Sequence, residues 1–279
     1  MGWFAKKHSQ PGWLALGLHP DRVDLVHITR GAHRKPAIVL CDSYRREGSF
    51  AETLLRLRKE VRLDQYRCTT LLKNEDYQMH QVDAPNVPAA ELKTAVRWRV
   101  KDLIDYPIET ATVDVLDVPL DGNVQARNHQ VYAVTARNSA VEACAGLFND
   151  AGVPLEAIDI PDLAQRNIAA LFEPAERGIA MLAFYEKEGM LTFTRAGELY
   201  LVRRIDVTLA QLSDPDAERR NQYFERVGLE LQRSLDHFDR QYSYVPLSKL
   251  LLAPLPPDNG LPQYLAPNIS LPVESVDLG

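Results

Sequence analysis

The stretch Leu14-Ala15-Leu16-Gly17-Leu18-His19-Pro20-Asp21-Arg22-Val23-Asp24-Leu25-Val26-His27-Ile28 decides how this chain folds. An apolar run breaks over Leu18–Asp21, and an alternating run follows in which Val23, Leu25 and His27 oppose Asp24, Val26 and Ile28. Alternation of this kind marks a strand with one face in a core and one in solvent, and a short Pro/Asp break between two such runs reads as a tight turn. A second copy of the plan begins at Gly178. There an apolar run Gly178–Phe184, a charged turn Tyr185–Gly189, an alternating run Met190–Arg195, a turn Ala196-Gly197-Glu198 and a further run Leu199–Val207 follow one another. Two hairpins of one design, each followed by more strand and then helix, predict an α/β chain built by internal duplication.

Outward from the first hairpin, Ala37–Tyr44 reads as a third strand and Gly48–Val61 as a helix. Ser49, three residues before Glu52, is the N-cap, and Leu54, Leu55 and Leu57 form the apolar side. Cys68–Leu72 is a short buried strand, completing a β-β-β-α-β order. A strand at Gln78–Val82 leads to a helix that starts at Pro88, carries Glu91 in its first turn and runs to Leu103. Strands at Thr112–Val118 and Gln130–Ala136 flank a turn at Asp121-Gly122-Asn123, and a helix ending at Gly152 precedes a strand Val153–Ile160. A connecting helix runs from Pro161 to Phe172 with Leu163, Ile168 and Leu171 as its apolar residues. The longest helix, Arg219–Tyr242, carries Tyr223, Val227, Leu231, Leu235 and Phe238 as one stripe. An apolar strand at Leu250–Leu252, a helix around Gly260–Leu265 and a strand in Leu271–Glu274 close the chain.

Composition excludes several function classes. The 279 residues suffice for one large or two medium domains, and 46% hydrophobic with 25% charged content is that of an ordinary soluble globular protein. A net charge of −6 argues against a general nucleic-acid binder. No window approaches the length of apolar sequence that spans a membrane, and Lys6-Lys7 interrupts the apolar start Met1-Gly2-Trp3-Phe4-Ala5 before it can serve as a signal peptide. Residues 1–11 read as a flexible arm, a frayed tail or a weak surface contact through Trp3, Phe4, Lys6 and Lys7. Cys41, Cys68 and Cys144 are too far apart for a metal or redox motif, the histidines stand at no ligand spacing, and Asp236-His237 reads as a solvated helix face. The residues offer neither a catalyst nor a metal site.

The two hairpins resemble the phosphate-binding hairpins of the actin-like ATPase superfamily. The run Tyr106-Pro107-Ile108-Glu109 and the helix Leu229-Glu230-Leu231-Gln232-Arg233-Ser234-Leu235-Asp236-His237-Phe238 resemble the PilM-like family of type IV pilus assembly proteins, in particular its branch from the mannose-sensitive haemagglutinin (MSHA) pilus. The resemblance implies an actin-like (ribonuclease H-like) duplicated fold with a small inserted α+β subdomain. It also shows what has gone from the nucleotide site. The family Asp of the first hairpin falls on Gly17, its Gly on His19 and its Lys on Asp24; in the second hairpin the Asp falls on Ala183 and the Gly on Tyr185. A phosphate cradle needs close backbone approach and a carboxylate to hold magnesium, and neither remains. Glu186 and Glu188 would add negative charge where a triphosphate sits, at a cost of several kcal/mol in a partly dry cleft. The adenosine-side glycines are replaced by Ala253-Pro254-Leu255-Pro256-Pro257. The expectation is a degenerate site, with no cofactor.

The same resemblance divides the chain into an arm 1–11, a first half of the actin-like subdomain at 12–77, an insert at 78–158, and a connecting helix with the second subdomain at 159–279. In the family the insert and the first subdomain form a groove for the N-terminal cytoplasmic peptide of a single-pass inner-membrane protein, here of MshJ or PilN type. Arg97, Trp98, Lys101 and Tyr106 are residue types suited to that lining, and Trp98 suits a core position equally well. The implied role is a non-catalytic cytoplasmic scaffold at the inner-membrane face of a Gram-negative bacterium. The alternatives are an ATPase with an unusual site and a scaffold of a type II secretion system.

Overall fold

The structure is a computed structural model that describes residues 10–31, 35–120 and 129–276. The turn expected at Asp121-Gly122-Asn123 and most of the arm lie outside the described residues. The chain forms two compact units, residues 1–116 with 131–161, and residues 117–130 with 162–279.

In the first unit, β1 (Trp13–Leu18) and β2 (Arg22–Arg30) form the predicted hairpin, followed by β3 (Pro36–Arg45), α1 (Phe50–Glu60) and β4 (Cys68–Leu71). Val23, Leu25 and His27 are buried, as the alternation requires. Helix α1 begins where Ser49 and Glu52 make a reciprocal capping box, which satisfies two amide donors that the first turn would leave open. Leu54 and Leu57 are fully buried, whereas Leu55 lies exposed. Its predicted place on the apolar side is corrected because the arc facing the sheet reaches back to Thr53, not forward to Leu55.

Next come β5 (Tyr77–Asp83), α2 (Ala89–Arg99), β6 (Ala111–Asp117) and β7 (Gln130–Arg137), with strand order β5-β7-β6 in a separate three-stranded sheet. Val96 and Val100 pack with Ile108, Ala111, Val113, Val131 and Ala133 as its core. Helix α2 stops at Arg99, short of the predicted Leu103. The chain then runs through α3 (Asn138–Asp150) and β8 (Leu155–Asp159), and here the expected insert is too long. Strand β8 pairs in parallel with β4, and Phe148, Ala151 and Val153 share a core with Leu14, Leu16, Leu54 and Leu57. Strand β8 therefore belongs to the first sheet, of order β3-β2-β1-β4-β8, with α3 packed on it, and the inserted layer comprises β5, α2, β6 and β7.

The second unit takes α4 (Pro161–Ala169), β9 (Gly178–Phe184), β10 (Gly189–Arg195), β11 (Glu198–Ile205), α5 (Leu209–Leu212), α6 (Ala217–Gln241), β12 (Leu247–Leu252), α7 (Leu261–Leu265) and β13 (Val273–Ser275). Its sheet order, β11-β10-β9-β12-β13, repeats that of the first, so the duplication read from the two hairpins is a duplication of the whole sheet. Asp216 caps α6 by accepting from the amides of Glu218 and Arg219. The buried side of α6 comprises Phe224, Val227, Gly228, Leu231, Ser234 and Phe238, rotated slightly from the predicted stripe so that Tyr223 and Leu235 are half-buried. Phe238 stacks on Phe193 of β10 at 4.6 Å between ring centres and meets Tyr200 and Tyr242 edge-on or tilted.

Phe238→Ala removes a ring that stacks inside this aromatic cluster. It should destabilise the second unit by about 3–5 kcal/mol, read from the midpoint of urea unfolding.

Candidate functional site

The two hairpin ends are where the fold would place phosphate chemistry, and each is built the same way. In the first, the His19 amide donates to Arg22 O across a two-residue loop; in the second, the Tyr185 amide donates to Glu188 O. Strand register sets Gly17 opposite Asp24, and Ala183 opposite Met190. Counting from the two loop-closing bonds, Gly17 corresponds to Ala183 and His19 to Tyr185.

At the first hairpin the space beside the loop is filled by the protein's own side chains. Asp24 Oδ1 accepts from Ser43 Oγ at 2.6 Å and from Arg22 Nε at 3.1 Å, and Oδ2 lies 3.1 Å from His19 Nε2. The imidazole folds back over Gly17, so that a Cβ there would stand 3.2 Å from Nε2. Glycine at 17 therefore leaves room for the His19 ring. Desolvation pushes the Asp24 carboxyl up, but the hydrogen bonds from Ser43 and Arg22, with the charges of Arg22 and His19, outweigh it and hold it below the usual range.

At the second hairpin the polar core comes from α4. The predicted apolar residues Ile168 and Leu171 are exposed, and the buried face consists of Asp162, Gln165 and Ala169. Gln165 Nε2 donates towards Met181 O, Met190 O and Thr192 Oγ1 at 2.9, 3.1 and 3.1 Å, tying the helix to both strands of the hairpin. Its Oε1 accepts from the Tyr185 hydroxyl at 3.3 Å. Asp162 is fully buried and receives Arg204 Nη2 at 2.8 Å, while Arg204 Nε stands 3.4 Å from Glu188. The negative charge expected from Glu188 is thus met by Arg204, a residue that sequence reasoning did not single out. Burial first, and Asp162 second, push the Tyr185 phenol up against a smaller opposing effect of Arg204, so it remains a neutral donor. Asp162, Gln165 and Ala169 share one helix face at three- and four-residue spacing, but two of the three are polar, so an apolar pattern does not mark them.

The four residues considered for partner binding occupy different environments. Trp98 projects from α2 with 61% of its surface exposed, so it is not a core residue, and Lys101 is exposed just beyond the helix end. Arg97 is half-buried and donates to Ile108 O at 2.5 Å, locking α2 to the turn that starts β6. Tyr106 belongs to the insert's core, with the Arg137 guanidinium 4.3 Å from its ring centre. Elsewhere, Asp236 is exposed on α6 with His237 half-buried beside it. Cys41 is exposed, and burial pushes the Cys68 thiol up to about 12. Among the described residues no three metal-ligating side chains gather, and no helix is long and apolar enough to cross a membrane.

No family model and no curated protein matches the chain. Among solved structures it is similar to the PilM–PilN type IV pilus biogenesis complex, at 20% identity and a TM-score of 0.75, covering 96% of this chain and 89% of that one. It is similar also to the cytoplasmic domain of EpsL, an inner membrane component of the type II secretion system of Vibrio cholerae, at 15% identity, a TM-score of 0.52, and 95% and 90% coverage. A Bacteroides thetaiotaomicron protein with an actin-like ATPase fold and unknown function matches at 12% identity and a TM-score of 0.52, over 99% and 94% of the two chains. The fold is actin-like.

Two outcomes follow. Arg204→Ala leaves the buried Asp162 carboxylate short of its cation and should cost about 3 kcal/mol in denaturant unfolding. The lowered Asp24 pKa means that its network contributes stability above the unfolded carboxyl pKa of about 3.9, and loses it as pH falls through the lower folded value. Acid unfolding followed by circular dichroism should therefore begin at higher stability for the parent than for Asp24→Asn, with the two curves converging below about pH 4.

Proposed function

We propose that this chain is a non-catalytic cytoplasmic scaffold of type IV pilus assembly, of the MshI type that serves the MSHA pilus. The observation that carries this reading is the closed first hairpin, where Asp24, held by Arg22, His19 and Ser43, stands in place of the phosphate-binding lysine. An anion approaching that loop meets a carboxylate and a side-chain plug instead of free amide donors. The second hairpin supports the same conclusion, because Gln165 and Tyr185 engage each other there.

In this reading the occupant of the site is a protein. The extended N-terminal cytoplasmic segment of a single-pass inner-membrane protein, MshJ-like or PilN-like, docks between the 77–137 insert and the first sheet. Main-chain hydrogen bonds would supply much of its affinity, and side-chain pockets its register. Trp98 is the anchor: an exposed tryptophan on a helix held rigid by the Arg97–Ile108 bond presents a large contact area with little entropy left to lose. Lys101 supplies charge beside it, and Arg97 and Tyr106 act by fixing α2 and the turn below. The protein itself stays at the cytoplasmic face, and the partner tethers it to the pilus machinery. The similarity to the cytoplasmic domain of EpsL supports a second reading, the same scaffold role in a type II secretion system.

Calorimetric titration separates these from an ATPase. Mg-ATP should give no binding heat, and a synthetic N-terminal peptide of the membrane protein encoded beside this chain should bind. Trp98→Ala should weaken that peptide by about 2 kcal/mol, roughly 30-fold. Tight Mg-ATP binding would overturn the closed-hairpin argument, and peptide binding indifferent to Trp98 would move the docking site elsewhere.

A further inference from the structure

Neither plugged hairpin accounts for a row of large apolar side chains at the other end of the first sheet. Register places Trp13 beside Ile28, and Ile28 beside Ile38 on the edge strand β3. Trp13 and Ile28 alternate with buried Leu14 and His27, so they stand on the face turned away from the core. Trp13 and Ile28 are each 37% exposed, Ile38 56%, and Val39, at a bulge in the β2–β3 ladder, 61%. Single apolar residues on a surface need no explanation, but four side by side do.

The charge around the row is inverted relative to the chain. The protein carries −6 overall, yet Arg30 and Lys35, which close this end of β2 and β3, are both exposed, and neither is in an ion pair among the described residues. The Arg67 guanidinium lies 4.1 Å above the Trp13 ring with its Nε 2.7 Å from Glu156, so the carboxylate there is neutralised.

Two protein occupants fit poorly. A partner strand adding to β3 would meet Pro36, which has no amide hydrogen, and the Val39 bulge, so a continuous ladder cannot form. A second copy pairing β3 about a two-fold axis at Leu40 would set Lys35 against Arg45. An apolar row flanked by Arg30 and Lys35 matches instead the interface of a bilayer with anionic headgroups, where the apolar groups enter the acyl boundary and the Arg and Lys side chains meet phosphates.

We propose that this end of the first sheet, centred on Trp13, Ile28, Ile38 and Val39 with Arg30 and Lys35, binds an anionic membrane surface directly. The proposal does not depend on the pilus reading, because the binding needs no membrane protein. The test is co-sedimentation of the purified full chain with vesicles of phosphatidylcholine alone and of phosphatidylcholine mixed with phosphatidylglycerol. Binding is expected only to the mixed vesicles and should fall as salt is raised. The pair Ile38→Ser with Val39→Ser, and the pair Arg30→Glu with Lys35→Glu, should each weaken it by at least about tenfold, with unchanged far-ultraviolet circular dichroism. Absence of binding, equal binding to neutral vesicles, or binding that both variants retain would overturn the proposal. So would a dimer in sedimentation velocity that Ile38→Ser with Val39→Ser abolishes, since the row would then be an interface between copies.

Discussion

A carboxylate withdrawn from water has to be met by positive charge or by donors, and each half of this chain is arranged around one such group. Asp24 gathers Arg22, His19 and Ser43 at the end of the first hairpin. Asp162, fully buried at the start of α4, gathers Arg204, which in turn reaches Glu188 on the second hairpin loop. Both networks stabilise the hairpin ends, the first around a half-buried carboxylate and the second around a fully buried one.

The duplicated sheets have diverged in how they are covered. In the second unit α4 meets the face that carries Thr192 and α6 the face that carries Phe193, and the two central strands are buried along nearly their whole length. In the first, α1 and α3 pack on one face, and the other keeps a half-exposed row across β1, β2 and β3. A strand covered on both sides reads as a continuous apolar run, and one covered on a single side as an alternation. That difference is visible between Gly178–Phe184 and Arg22–Ile28. Among the described residues, that half-exposed row offers surface that the buried central strands of the second sheet do not.

Legibility in the sequence followed the range of the interaction responsible. Hairpin turns, the Ser49–Glu52 capping box and the alternation of Val23, Leu25 and His27 depend on neighbours a few residues away, and all were readable. The buried face of α4 was missed because polar Asp162 and Gln165 take core positions, which pattern reading assigns to Ile168 and Leu171. Those two polar groups are tolerable in the core only because Arg204, Met181, Met190 and Thr192 supply charge and hydrogen-bond partners from far along the chain. The insert boundary failed for a similar reason: β8 joins the first sheet through parallel pairing with β4, and no local signal marks which sheet a short apolar strand will enter.

By itself the sequence determined that the chain is a duplicated α/β protein with a helix-bearing insert, and which residue types stand at its two hairpin ends. Those are matters of residue type and periodicity, properties of single positions. Only the tertiary structure decided that Asp24 is neutralised by its own surroundings, that Trp98 stands in solvent while Tyr106 lies in a core, and that Glu188 is paired. Each of these depends on which distant side chain arrives within about 4 Å, a distance over which desolvation and charge pairing are settled and about which spacing along the chain carries no information.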